Sequence, residues 1–240
     1  MEKLNLGWKP LVQIPENVPS ASFITDEAFI EEYKGRVKSD FGNASALKVL
    51  SYDNGVVKGS NFFAVALVNS IVKPLGLRVA SQADLERVLS TNALELKNQY
   101  EDTALVLRNR GDPNEYLAGK LADQTLARGY DFSTPLVVPL YGVEVVKDKD
   151  SPHGLAFKLA EDTQIVRAPE LIAKNNGKNF SATNEYGIPN VDGKGERMLY
   201  TRESGLLGLF LNRNLDVGSG DDYLANSGDS GRVVLVRSKI

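Results

Sequence analysis

Apolar and polar positions change their period along the chain, and the changes mark out its elements. Pro10, Pro15 and Pro19 cut the first stretch into extended pieces. Thr25 then caps a short amphipathic helix that runs to about Lys38 and ends at Gly42-Asn43. This predicts a peripheral extension over residues 1–45 ahead of one globular domain over 46–240. Leu47 to Tyr52 reads as a strand, Asp53-Asn54-Gly55 as a tight turn and Val56-Val57 as a second short strand. Gly59-Ser60-Asn61 offers a helix N-cap, and the nearly all-apolar run Phe62 to Val72 predicts a buried helix stopped by Pro74 and Gly76.

Leu77 to Ala80 is a short buried strand. Ser81 opens a second helix, with Asp84 at the third position of a capping box and Leu85, Val88 and Leu89 on one face. Further on, Thr103 to Leu107 predicts a strand and Asn114 to Arg128 an amphipathic helix. Leu136 to Val146 predicts a strand pair bent at Tyr141-Gly142. Leu155 to Leu159 and Thr163 to Val166 are further strands, and the Asn- and Gly-rich 174–195 reads as long loops. Met198 to Thr201 and Gly205 to Leu215 are expected strands, 218–230 mostly loop, and Gly231 to Arg237 a closing apolar strand.

The run from Gly205 to Val217 carries the most information. Leu209, Leu211, Arg213, Leu215 and Val217 alternate with Phe210, Asn212, Asn214 and Asp216, so one face packs inward and the other looks out. Asn and Asp are poor strand formers, which points to a selection other than folding at those outward positions. Small polar residues then interleave with the anchor Leu224-Ala225 through 218–230. Such residues also dominate ordinary surface loops.

Composition separates the two readings. Lys, Glu, Gln, Met and Trp total 39 in the chain, yet none occurs among the 33 residues from Ser204 to Val236, where the other 207 residues would place about 6. An ordinary solvated loop is rich in Lys and Glu. None of these five residue types can be reached from an asparagine codon, AAC or AAT, by changing its two adenines, whereas Asn, Ser, Gly, Asp, Tyr, Phe and Leu all can.

With its frame of Gly-Leu-x-Gly-Leu-x-Leu-x-Arg-x-Leu, Leu-Ala-x-Ser and Gly-Arg-Val-Val, the segment resembles the variable region of diversity-generating retroelement variable proteins. In that family adenine-directed mutagenesis rewrites chosen codons. It is most similar to the archaeal and archaeal-virus members. The resemblance implies an α+β fold, the C-type lectin fold, with two helices packed on small antiparallel sheets. The stretch Ser60 to Ala64 through Gly76-Leu77-Arg78-Val79-Ala80-Ser81-Gln82-Ala83-Asp84-Leu85-Glu86 resembles the formylglycine-generating-enzyme subclass of that fold, as does the closing Gly231-Arg232-Val233-Val234. The resemblance covers both ends of the domain; residues 90–200 match no known pattern and are expected to form an insertion.

It further implies a changeable ligand-binding surface formed by Ser204, Leu207, Phe210, Asn212, Asn214, Asp216, Gly218, Ser219, Gly220, Asp221, Asp222, Tyr223, Asn226, Gly228 and Asp229. Phe210 and Tyr223 would be the large contact groups and the Asn and Asp side chains adaptable hydrogen-bonders. Leu209, Leu211, Leu215, Leu224 and Val233 to Val236 would anchor the backbone, with Arg213 and Arg232 bracing it. The partner expected is a protein or other macromolecule that differs between variants, bound by a monomer.

The remaining chemistry narrows the alternatives. The chain has no cysteine and one histidine, His153, which removes thiol catalysis, Cys-type metal sites and multi-His sites. The enzymes of the resembled subclass use cysteine, so no catalytic residue and no cofactor are expected. The calcium-lectin motifs are missing: Asp112-Pro113-Asn114 reads as a helix-entry turn, and Trp8 is the only tryptophan. The Asn212/Asn214/Asp216 spacing fits a calcium loop poorly, since Val217 and Tyr223 stand where Gly and Glu are required; no metal is expected. His153 reads as a turn residue and Gly193-Lys194-Gly195 as a plain loop without phosphate-loop spacing.

A net charge of -3 without a basic stripe argues against nucleic acid. The N-terminus has no apolar signal core and no stretch is long enough to span a bilayer, so a cytoplasmic protein, or one carried to a virion or surface by another route, is expected. Two rivals stay open: a structural or virion protein of the same fold without diversification, and an enzyme built on a carboxylate pair such as Glu101-Asp102 or Asp148-Asp150. Those pairs read as solvated surface charges.

Overall fold

The computed structural model describes residues 21–237; the proline-broken start of the chain lies outside them. The first described residues are not peripheral. Strand β1 (Ala21–Phe23) is followed by helix α1 (Glu27–Phe41), capped by the Asp26 carboxylate and closed by Gly42 in the left-handed conformation. Phe29, Ile30, Tyr33 and Val37 of α1 are buried in the main core. The expected extension over 1–45 therefore becomes, from Ala21 onward, part of the domain.

A hairpin of β2 (Ser51–Asp53) and β3 (Val56–Lys58) leads to α2 (Phe62–Val72), whose N-cap is Asn61 accepting from the Ala64 amide at 2.7 Å. All of α2 except Ser70 is buried, as its apolar run predicts. Strand β4 (Leu77–Val79) enters α3 (Gln82–Thr91), where Ser81 and Asp84 form the expected capping box. Asp84 also binds the Arg78 guanidinium through both oxygens, and Glu86 holds Arg197 at 2.6 and 2.7 Å. Each polar residue of the Gly-Leu-Arg-Val-Ala-Ser motif thus has a structural duty that fastens α3.

The long strand β5 (Tyr100–Leu107) precedes α4 (Glu115–Leu126), and then come β6 (Leu136–Pro139), β7 (Val143–Lys147) and β8 (Leu155–Leu159). The strand β9 (Val166–Arg167) follows at the end of the strand expected over Thr163 to Val166, and β10 (Lys178–Phe180), β11 (Ala182–Thr183) and β12 (Pro189–Asn190) break up the long loops expected over 174–195. Last come β13 (Arg197–Thr201), β14 (Leu206–Leu211), β15 (Val217–Asp221), β16 (Gly231–Arg232) and β17 (Val234–Arg237).

The protein is a mixed α+β domain around a curled sheet with the order β10-β13-β15-β14-β5-β6-β9. A three-stranded antiparallel sheet, β1-β17-β4, ties the two ends together, with Ala21 opposite Val236. β5 pairs along its length with β14 and, on its other edge, with β6 and β16. The segment 90–200 is therefore no appended insertion: it supplies the interior strands β5, β6 and β13 of the largest sheet. Leu105 and Leu107 pack toward α2 and α4 in the main core, while Ala104, Val106, Leu209 and Val217 face a second core closed by residues 166–191. Among the described residues no helix is long and apolar enough to cross a membrane.

Candidate functional site

The run Gly205 to Val217 is not one strand. β14 stops at Leu211, and Asn212 to Asp216 form the turn of a hairpin whose second strand is β15. Asn212 makes this turn: its Oδ1 accepts from the amides of Asn214 at 2.8 Å and Asp216 at 2.9 Å. The Asn and Asp residues that looked costly in a strand have a local reason, since their side chains replace backbone partners in turns. Leu215, an expected anchor, sits in the turn with a φ of 69°. Arg213, expected as a brace, is exposed at the tip.

Period two still governs β14. Leu207, Leu209 and Leu211 point into the cores, whereas Gly208 lies under Phe62 of α2 and Phe210 emerges beyond that helix's N-terminus. Phe210 is opposed by Asp102 on β5 and by Gly218 on β15, which is itself opposed by Tyr200 on β13. Directly opposed residues share a face, so Tyr200, Gly218, Phe210 and Asp102 form one row across four strands. Two shallow concavities flank Phe210. One, of about 360 Å³, is lined by Tyr100, Asp102, Phe210, Asn212, Arg213, Asn214 and Asp221. The other, of about 400 Å³, is bordered by Tyr200, Arg202, Phe210, Gly220 and Asp221.

The predicted contact residues divide accordingly. Phe210, Asn212, Asn214, Gly220 and Asp221 line the concavities. Asp222 is half-buried beside them, and Tyr223, Asn226, Gly228 and Asp229 are exposed on the following loop, Tyr223 by 65%. Ser204 lies apart, donating to the Asp112 carbonyl at 2.6 Å. Four others are buried, three facing inward and Gly218 covered on the outward face. Leu207 has the same parity as Leu209 and packs opposite Val106. Asp216 is buried and accepts from the Met198 amide at 2.8 Å. Gly218 lies beneath the Phe210 ring. Ser219 is buried on the opposite face, where its hydroxyl meets Arg108 at 2.8 Å and Thr201 at 3.0 Å.

Side chains outside the segment hold its backbone. Asn61 donates to the Ala225 carbonyl at 2.7 Å. Asn114, which follows a cis Asp112–Pro113 bond at the entry to α4, donates to the carbonyls of Leu206 at 2.8 Å and Asp222 at 3.0 Å. The Tyr100 hydroxyl accepts from the Gly228 amide at 2.7 Å, and the Ser227 hydroxyl accepts from the Ser60 amide at 2.9 Å. Arg232 donates to the carbonyls of Asp229 and Gly231, in keeping with a bracing role. Within the loop Ser227 takes part in this bracing and the Asp221 Oδ1 accepts from the Tyr223 amide at 2.8 Å, whereas the side chains of Tyr223, Asn226 and Asp229 make no hydrogen bond among the described residues.

Glu101 and Asp102 are not solvated: they are only 2% and 7% exposed. Burial pushes the Glu101 carboxyl up to about 8, with the neighbouring Asp102 adding and Arg232 opposing. Burial likewise lifts Asp102 to about 7; a bond from Ser60 opposes this and Asp221 adds to it. Successive strand residues face opposite ways, and here Glu101 opposes Leu211 while Asp102 opposes Phe210. The two carboxyls therefore cannot act on one substrate as a pair. Asp148 accepts from the Tyr116 hydroxyl at 2.9 Å and pairs with Lys120, so it too is engaged structurally. His153 sits in a turn with its ring against Phe63 at 5.5 Å, and burial lowers its pKa.

Tyr100, Asp102, Tyr200 and Arg202 line the concavities although they precede the C-terminal segment. For Asp102 and Tyr200 the missing signal was their register against Phe210 and Gly218. No family model, curated protein or solved structure matches the chain.

Proposed function

We propose that the protein is a non-catalytic ligand-binding display protein of the diversity-generating retroelement type, with a C-type lectin fold. Its surface around Phe210 binds targets that change as the C-terminal segment is rewritten. The observation that carries this reading is the coincidence of two independent features. The segment that lacks Lys, Glu, Gln, Met and Trp supplies most of the first concavity's lining, three residues of the second and the adjoining loop. The backbone of that segment is meanwhile pinned by Asn61, Asn114 and Tyr100 from outside it. A frame held from elsewhere lets exposed side chains vary without moving the site. Aromatic groups among small polar ones are suited to contact with diverse partners.

The positions proposed to vary are Phe210, Asn214, Gly220, Asp221, Asp222, Tyr223, Asn226, Gly228 and Asp229; Asn212, which borders the first concavity, is held by its part in the hairpin turn. The test is genomic. A template copy of the last stretch of the gene, differing at adenines and lying beside a reverse transcriptase, is the expected neighbourhood. Its absence would leave a structural or virion protein of the same fold.

A further inference from the structure

The first concavity has a floor as well as a rim. Asp102 belongs to β5, outside the rewritten segment, and lines the cavity between Tyr100 and Phe210. Its Oδ2 accepts from the Ser60 hydroxyl at 2.5 Å, and among the described residues Oδ1 has no hydrogen-bond partner. Asp221 adds a second carboxylate to the lining, and Asn212 and Asn214 add amides. Arg213 also borders the cavity, yet no ion pair joins it to Asp102 or Asp221 among the described residues. A carboxylate more than nine-tenths buried, with one oxygen open to the cavity and no cation paired with it, gains from a cation that enters.

On the reading that this face binds a macromolecular ligand, we propose that the cavity floored by Asp102 is a fixed subsite for a basic side chain of that ligand. The ammonium of a lysine or the guanidinium of an arginine would enter beside the Tyr100 ring and meet the Oδ1 of Asp102; in this variant the Phe210 ring and the Asp221 carboxylate add to those two fixed groups. Aromatic faces attract such cations, and an anion would be repelled. A neutral group would leave the buried carboxylate unpaired. Tyr100 and Asp102 are common to every variant, so the floor supplies a shared anchor while the rim supplies selectivity.

The charge state of the floor supports this. Asp102 is lifted by burial and faces Asp221 from β15, Tyr100 from its own strand, Arg213 from the hairpin turn and the Ser60 hydroxyl from the approach to α2. Glu101 and Arg232 lie beside it on β5 and β16. A bound cation favours the ionised carboxylate, so binding weakens as pH falls below about 7.

The test titrates the full chain with three blocked amino acids, N-acetyl-lysine, N-acetyl-arginine and N-acetyl-norleucine methylamides, while amide chemical shifts are followed. Saturable shifts at Tyr100, Asp102, Phe210 and Asp221 are expected with the basic probes and not with norleucine. Asp102→Asn should weaken binding about tenfold or more, acid pH should weaken it likewise, and Arg213→Ala should tighten it. Equal binding of norleucine, no saturable shift, or methylammonium binding as tightly as blocked lysine would overturn the proposal. If Asp102→Asn fails to fold, Asp221→Asn and the pH titration of the unaltered chain decide, and undiminished binding in both overturns it. Selecting binders from a library varied at Asn214, Asp222 and Tyr223 reads the display function separately. Success there with failure of the probes would remove the cation subsite alone.

Discussion

The ring of Phe210 rests on Gly218, the residue directly opposite it on the neighbouring strand, and occupies the space a side chain there would need. Gly208, one pleat earlier on Phe210's strand, is covered in the same way by Phe62. The two glycines differ in what covers them. Phe62 is buried in the main core, whereas Phe210 is only half-buried, with the far end of its ring over Gly218. Gly208→Ala should therefore cost about 1–3 kcal/mol by overpacking, and Gly218→Ala less than about 1 kcal/mol. Urea unfolding of both variants measures this, and equal losses would show that Phe210 is as fixed as Phe62.

Asn212 and Asn214 stand two residues apart with opposite duties. Asn212→Ala removes two bonds that shape the hairpin turn and should cost about 1–2 kcal/mol. Asn214→Ser and Tyr223→Ala, at exposed positions, should stay within about 0.5 kcal/mol of the unaltered protein. Leu211→Ala, between them and the core, should cost about 2–5 kcal/mol. Thermal unfolding of the four variants orders them, and a Tyr223→Ala loss matching that of Leu211→Ala would contradict a display surface.

Ser219 lies inside the C-terminal segment but serves Arg108. That guanidinium reaches the Ser219 hydroxyl and carbonyl, the Thr201 hydroxyl and the Leu171 carbonyl, and burial lowers its pKa to about 10. Ser219→Ala should destabilise by about 1–3 kcal/mol because a buried charged donor loses its acceptor. The melting temperature checks this, and an unchanged value would show that Ser219 is free to vary.

Stability should fall as pH rises from the ordinary carboxylate range toward about 8. The folded-state pKa values of Glu101 and Asp102 are raised, so over that window the folded protein keeps protons that the unfolded chain releases. The slope is at most about 1.4 kcal/mol per pH unit for each group. At the acid end Asp84 acts in the opposite sense. Its burial is outweighed by Arg78 and Ser81, its pKa is lowered, and its contribution is lost as pH falls. Glu101→Gln should flatten the alkaline decline in urea midpoints measured across pH, and a profile unaffected by that change would contradict the burial of Glu101.

Local chemistry was legible wherever the deciding groups lie close in sequence. The Asn61 cap, the Ser81/Asp84 box and the strand Leu155–Leu159 stand where the sequence puts them. The errors came from distant partners. Gly218 to Asp221 look like loop and form a strand because β13 and β14 flank them. Ala21 to Phe23 look peripheral and pair with the far end of the chain. Asp102 looks like a surface charge, and its burial depends on Ser60 and on the hairpin laid over it. The outward position of Phe210 followed from period two, but Leu207, of the opposite parity, belonged with the anchors.

The most direct test of the account is deep sequencing of the gene's C-terminal segment across a natural population. The account predicts substitutions confined to the first two bases of the codons for outward positions such as Phe210, Asn214, Asp222 and Tyr223, where the template copy carries adenines, with Leu209, Leu211, Ser219 and Leu224 constant. Substitutions spread evenly over buried and exposed codons, or no excess over the rest of the gene, would contradict it.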